Sequence, residues 1–588
     1  MKRTALTILL LFAAVLAMAG NVTPEKAGQL ASSFFSSNTR SAAKVSLVWD
    51  GTDGLTRAAT APAFYVFNRE GGGFVVIAGD DAAVPVLGFS ETGTFCTEGM
   101  PENILHWFDS YTAQINYLRN IGEKQRASGA ALWERVAREG IRTYSPVKRV
   151  ETPSWGQKAP FNNLCPVVDG GKSVAGCVCI AVCEVMFIHK WPLTTKGDLL
   201  PDYEYKTDKN NTQTITGHNL STSYDWANIK ASYKGSYTDD EATAVATLVH
   251  DVGVMLQSDY NPTGTGAMAE SIVPQVLRYM DYDSSAFLLY REECTAREWS
   301  NLIKKDIDAG LPVLYGGDGE GGGHQFVVDG YATDDYFYVN WGWNGSDNGY
   351  FKLSSFILDA DYDFRFNSSA IFNFKKNEGG KAPDHMIYYL DNNYKGGVSL
   401  AGGSFAKGKT VKVSIDNLCN YSEGTFVGQV ALGVVDWKGA IKAIYSAEDL
   451  TLEPMYGVGG TIEATLTEDP ALGDRLMICY KGQQDWRPVY MDPYYHSYMV
   501  DAVPAYDYPA IWFDKTLAYK AGDVMDLRII NSSKPSESLV WYLDGKKMDM
   551  SQGESVTSIE LPAGKHTLRA TAKFGSITQT LYQVINVQ

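Results

Sequence analysis

The stretch Ser173-Val-Ala-Gly176-Cys177-Val-Cys179-Ile-Ala-Val-Cys183-Glu-Val-Met-Phe-Ile-His189-Lys-Trp-Pro192 decides how the chain is read. A Gly-Cys start, a near-continuous apolar run and a closing Trp-Pro predict a buried helix with Cys177 in its first turn. Unpaired N–H groups and the positive end of the helix dipole favour a thiolate there, so the position predicts an acidified, nucleophilic cysteine. A small residue chosen for tight packing would look the same in isolation. The rest of the chain separates the two readings.

Eight histidines are available as a base for Cys177. For His106, His250 or His566 a solvated or packed ring is the ordinary explanation. His324 has a different setting. It follows Gly316-Gly-Asp-Gly-Glu-Gly-Gly-Gly323, where the backbone is bare enough for a substrate to approach, and it opens the strand His324-Gln-Phe-Val-Val-Asp-Gly-Tyr331. The Cys-to-His separation falls within the range, about 130–150 residues, of papain-like proteases. A turn at Ala332 to Asp335 leads into Tyr336-Phe-Tyr-Val-Asn340-Trp341-Gly-Trp343, so His324 and Asn340 fall near one end of a hairpin. Counting cannot fix their faces, because a one-residue bulge would reverse them. Asn340 can bond the far imidazole nitrogen and fix its tautomer, and Trp341 can shield that bond from water. Gln157, a side-chain amide donor, can complete an oxyanion hole with the Cys177 N–H. Taken singly, Asn340 reads as a turn residue, Trp341 as core and Gln157 as a surface amide; jointly they are much harder to dismiss.

Working outward, the 588 residues are too many for one core. The formal charge of -17 argues against nucleic-acid binding. Met1-Lys-Arg3, the apolar Leu6 to Met18 and Ala17-Met-Ala19 form a secretory leader over 1–19. No later segment is apolar enough to span a membrane, and no cysteine at the cleavage point suggests a lipid anchor. The expected destination is secreted or cell-surface. The eight cysteines make no obvious disulfide framework. A helix from Thr23-Pro24, a hairpin over Phe64 to Phe89 and a helix from Pro101 form a small α+β unit with its own core. A further helical stretch then gives way to Ser145-Pro-Val-Lys-Arg149, an irregular, exposed linker open to proteolysis. Helices are expected over about Asp239 to Met255 and Ala296 to Ile307. Beyond about 380, short strands between Gly, Asn and Asp turns predict two β-sandwich modules with no catalytic cluster.

Gln157 with Leu164-Cys-Pro166, Gly176-Cys177-Val178, His189-Lys-Trp-Pro192, Asp251-Val-Gly-Val254 with Asp259-Tyr260, Gly323-His324 with Phe326 and Asp329-Gly330, and Asn340-Trp-Gly-Trp343 with Asp347 and Gly349-Tyr-Phe351 resemble the streptopain family of secreted cysteine proteases. The resemblance covers about 150 to 375. The Phe64 to Phe89 hairpin, with Ala78-Gly-Asp-Asp81, is similar to that family's inhibitory propeptide. The resemblance implies that Cys177 is the nucleophile, His324 the general base and then acid, Asn340 its orienting partner and Gln157 the oxyanion donor. Gln325, Cys179 and Cys183 depart from the usual small residues at their positions. The implied fold class is multidomain α+β: leader 1–19, inhibitory propeptide 20–145, papain-like catalytic domain 146–376 and β-sandwich (Ig-like) modules 377–503 and 504–588.

The expected activity is that of a cysteine endopeptidase made as a zymogen. It needs no cofactor and no metal; its partners are protein or peptide substrates and its own propeptide, and the C-terminal modules could bind surface or host ligands. The rival is an adhesion protein on a protease-like scaffold. Cys177, Cys179, Cys183 and His189 do not suit zinc, since one helix turns Cys177 away from the other two sulfurs. Asp359, Asp361 and Asp363 alternate like the opening of a calcium loop but lack its Gly and closing Glu.

Overall fold

The computed structural model describes residues 20–587 apart from 37–41, 52–60, 99, 101, 119–122, 196, 221–222, 292–295, 320–321, 354–367, 389–396, 423, 437–439, 472–473, 490–498, 502–509, 513–518, 531–537, 545, 549–555 and 575–576. The leader at 1–19 and the Asp359 to Asp363 run lie outside the described residues. Among the described residues, no helix is long and apolar enough to cross a membrane.

The N-terminal region begins with α1 (Pro24–Ser36), capped by Thr23, whose Oγ1 accepts from the Lys26 N–H at 3.3 Å. Strands β1 (Val45–Trp49), β2 (Phe64–Arg69), β3 (Phe74–Ala78) and β4 (Val86–Ser90) form an antiparallel meander, followed by helices α2 (Glu102–Leu118) and α3 (Glu123–Glu139). The expected linker is a strand, β5 (Pro146–Arg149). It is exposed, as expected, but not irregular. Its backbone finds partners along an open sheet edge, and an isolated linker would have left those groups to water.

Next come α4 (Cys177–His189), α5 (Asp239–Met255), α6 (Ile272–Tyr279), β6 (Phe287–Tyr290), α7 (Ala296–Asp308), β7 (Val313–Gly319), β8 (Gly322–Ala332), β9 (Tyr336–Asn340), β10 (Gly349–Lys352) and β11 (Ser368–Phe372). All eleven strands join one sheet, in the order β1-β2-β3-β4-β10-β9-β8-β7-β11-β6, with β5 added to β8. The join between β4 and β10 pairs Phe89 with Tyr350 and Gly88 with Phe351. The N-terminal unit therefore does not have a core of its own. Its meander shares one apolar core with the outer face of the later strands, from Phe34, Phe89 and Tyr111 to Tyr336, Trp341 and Phe351.

Period-two alternation divides the two faces of that sheet. Val313, Tyr315, Phe326 and Val328 point into the shared core, whereas Leu314 and Val327 point to a second core built around α4 and α5. That second core contains only residues from Trp155 to Phe374. Farther on, two antiparallel sheets enclose a third core from Met386 to Val489, and two more enclose a fourth from Ile511 to Val587.

Candidate active site

Cys177 opens α4 as expected. Gly176 precedes it at φ 92°, and a Cβ there would stand 2.9 Å from the Thr265 carbonyl oxygen, so glycine is required on both counts. The helix is buried almost all round, which explains its unbroken apolar sequence, and it ends where Lys190 turns left-handed. Cys179 and Cys183 are core residues; the Cys179 thiol meets the Val249 carbonyl at 3.2 Å, and His189 bonds Tyr282 at 3.1 Å. The Cys183 thiol lies against that of Cys179, while His189 goes to Tyr282.

The thiol of Cys177 does not have the depressed pKa expected of it. Burial pushes it upward, and the backbone N–H groups of Gln325, Val178 and Cys177 itself favour the thiolate without offsetting that cost. Burial likewise holds the His324 imidazole down at about 3, only partly opposed by its bond to the Trp341 carbonyl. In this state the thiol and the imidazole are both neutral. No hydrogen bond joins them among the described contacts; the sulfur sits beside the Gln325 N–H, one residue beyond the histidine.

The ring of His324 stacks on Phe326 and Trp343, with centroids at 5.9 and 6.5 Å. Its Nε2 lies 3.2 Å from the Trp341 carbonyl oxygen. A carbonyl can only accept, so Nε2 carries the proton and Nδ1 keeps its lone pair. The expected bond from Asn340 is not the one formed. Asn340 is the cross-strand partner of Val327, which faces α4, while His324 lies three residues from Val327 and so on the opposite face. The Asn340 amide donates instead to Thr152 Oγ1 at 3.0 Å and the Pro153 carbonyl at 2.8 Å, and its oxygen accepts from Asn348 at 2.9 Å. Trp341 is buried as expected, but its main-chain oxygen, which no sequence pattern reveals, is what orients the ring. Gln157 is buried rather than a surface amide, and its carbonyl accepts from the Ala175 N–H at 2.9 Å, tying it to the approach to Cys177.

Two residues to which sequence reading gave no role, Glu184 and Asp329, are buried on the same elements. Glu184, on α4 and fully buried, accepts from the Trp155 N–H at 3.1 Å. Burial raises its pKa well above the carboxylate range, opposed by Trp155 and Asn340, so it is a neutral acid. Asp329 sits at the β8 bulge, between Val328 and Gly330, and accepts from Thr152 N and Oγ1 at 3.0 and 2.6 Å and from Arg149 at 3.3 Å. A carboxyl within an apolar helix, and an acid next to a glycine in a strand, were the available signals.

The N-terminal region reaches this site from the shared core. Trp107 of α2 packs edge-on to Trp341 and Phe326, with ring centroids 5.8 Å from each. The Cys96 N–H donates to Asp347 at 2.8 Å, and the Tyr111 hydroxyl donates to the Lys352 carbonyl at 2.9 Å.

A cysteine at the head of a buried helix, a histidine one residue from the strand N–H that meets its sulfur, and an N-terminal unit whose strands join that sheet make the architecture of a papain-like cysteine protease zymogen. The sequence comparisons agree: residues 155–351 match the model of the Peptidase C10 family, and residues 19–115 match that of the Spi protease inhibitor. The chain is 30% identical to streptopain of Streptococcus pyogenes over 306 residues, covering 50% of this chain and 74% of that protein. It is also 30% identical to the thiol protease/hemagglutinin PrtT of Porphyromonas gingivalis over 364 residues, 60% of this chain and 41% of the other. A solved fragment of Prevotella intermedia prointerpain A is similar at 26% identity and a TM-score of 0.42, covering 57% of this chain and 99% of the fragment. The chain belongs to the Peptidase C10 (streptopain) family. It is a cysteine-type peptidase with an inhibitor-like N-terminal region, made as a zymogen that acts on proteins.

Proposed function

We propose that Cys177 is the nucleophile, that His324 is its base and then its acid, and that residues 20–145 keep the pair from assembling until they are removed. The observation that carries this is the tautomer: with Nε2–H bonded to the Trp341 carbonyl, Nδ1 is free to accept the Cys177 proton. The thiolate then adds to the scissile carbonyl and forms a tetrahedral oxyanion, held by the Cys177 N–H and the Gln157 amide. His324 passes its proton to the departing amine, leaving an acyl-enzyme that water hydrolyses with the imidazole again acting as base. Trp341 positions the ring, and Asn340 anchors the same corner from the other side of the sheet.

In this reading the leader is 1–19, the catalytic domain is 146–376, and 377–503 and 504–588 are Ig-like sandwiches that hold a secreted or cell-surface enzyme near its targets. The prodomain acts through Trp107 and the β4–β10 join, which together cover the sheet face bearing His324. Active-site titration with a thiol-directed epoxide tests the assignment. Processed wild-type protein should take up one label on Cys177, and Cys177→Ser should take up none; a processed, active protein that leaves Cys177 unlabelled overturns it.

A further inference from the structure

Outside the catalytic centre, His218, His250 and Asp251 converge on one point, their donor atoms lying within 4.8 Å of one another. Asp251 Oδ1 is 2.7 Å from His218 Nε2 and 3.8 Å from His250 Nδ1, and the two rings stack at 4.6 Å. We propose that these three residues form a binding site for a divalent transition metal of the zinc class.

Three observations support it. Two imidazoles and one carboxylate are the donor set that zinc and its neighbours prefer over calcium or magnesium. An ion about 2.0–2.2 Å from each donor needs donors roughly 3.4 Å apart, between the 2.7 and 3.8 Å found from Asp251 to the two rings, so side-chain shifts of under about 1 Å complete the site. The carboxylate is also nearly closed off, its side chain 3% exposed; Oδ1 faces the two rings, and the Tyr224 hydroxyl donates to Oδ2 at 2.8 Å. Tyr224 then holds the oxygen turned away from the rings, the outer-sphere arrangement usual at such sites. His218 and His250 remain 27% and 30% exposed along their side chains, leaving an aqueous entry and an open coordination position.

The elements that hold the donors are fixed independently of any ion. His250 and Asp251 are on the last turns of α5, and the His218 carbonyl accepts from the Leu200 N–H at 2.9 Å. The Val249 carbonyl next to them receives the Cys179 thiol from α4, so the site lies on the support of the nucleophile helix rather than in the substrate path.

The test uses the full-length chain carrying Cys177→Ala, which removes the reactive thiol as a competing ligand. Zinc is titrated by calorimetry, and cobalt(II) by its visible absorption. One ion per chain is expected. His218→Ala and His250→Ala should each weaken binding at least about a hundredfold, and Tyr224→Phe about ten- to a hundredfold with unchanged stoichiometry. Metal-free melting checks each variant's fold, and His250→Gln stands in for any alanine variant that does not fold. Absence of stoichiometric binding, or binding unchanged in a folded His218→Ala/His250→Ala protein, overturns the proposal.

Discussion

The two halves of the catalytic domain differ in what completes them. The helical half around α4 buries only residues from Trp155 to Phe374, so the nucleophile stands on a core that the domain supplies alone. The sheet half, which carries His324 and Trp341, shares its core with residues from Val22 to Tyr144. Removing the N-terminal region would leave the first core intact and strip one face of the second. Rings such as Tyr336 and Phe351 would then become exposed, at about 1.5–3 kcal/mol for each fully exposed side chain. It would also turn β10 into a sheet edge. On the proposed roles, latency then acts on the base and its support, while the thiol keeps its place.

Breaking either half of the pair should give the largest effect. Cys177→Ser and His324→Ala should each lower kcat/KM on a peptide substrate at least about a thousandfold while leaving melting of the intact chain within a few degrees. Next is the contact between the halves. Trp107→Ala empties the pocket between Trp341 and Phe326 and should speed self-processing of the intact chain about tenfold or more, followed on gels; an unchanged rate would mean that Trp107 is packing without control. Asn340→Ala should cost about 1–3 kcal/mol of stability, because it removes the bonds to Thr152, Pro153 and Asn348. The pH–rate profile of the surviving enzyme should keep its imidazole limb, since the amide does not touch the ring.

The pH dependence of stability sharpens the comparison further. His324 has a folded pKa of about 3 against an ordinary 6.5, so the unfolded chain takes up a proton that the fold refuses. Stability of the intact chain should fall as pH drops from about 6.5 towards 3, and His324→Gln should flatten that slope, as read by denaturant melts. His189, held down at about 4 by burial and Lys376, contributes in the same direction in both proteins. Asp306 and Asp347, raised to about 6 by burial, work oppositely and add stability as pH falls from about 6 to 4. The smallest effect should be that of Glu184→Gln. An amide replaces an acid that is already neutral, so melting should move by about 1 kcal/mol or less.

The sequence was legible where structure is local. The apolar run after Cys177, the Thr23 cap and the 239–255 periodicity predicted helices that the fold contains. Residue types and spacing made Cys177, His324, Asn340, Gln157 and Trp341 the candidates for the site. Three features were out of reach for physical reasons. The join of β4 to β10 is a backbone contact between segments about 260 residues apart, and no pattern within either segment specifies it. The face of Asn340 depended on sheet register and on the bulge at Asp329, which Val328 and Gly330 bracket. The group that orients His324 is a main-chain oxygen, and every residue has one. The position of Cys177 at the helix start also suggested a depressed pKa, but burial decides the sign.

The central claim is that the N-terminal region keeps a correctly placed thiol from its base. It is tested most directly by following epoxide labelling of wild-type protein during maturation, with intact and processed chains resolved by mass. The account predicts one label on processed chains and labelling of intact chains slower by about two orders of magnitude. Equal labelling of both would contradict it, because the pair would then already be assembled in the zymogen.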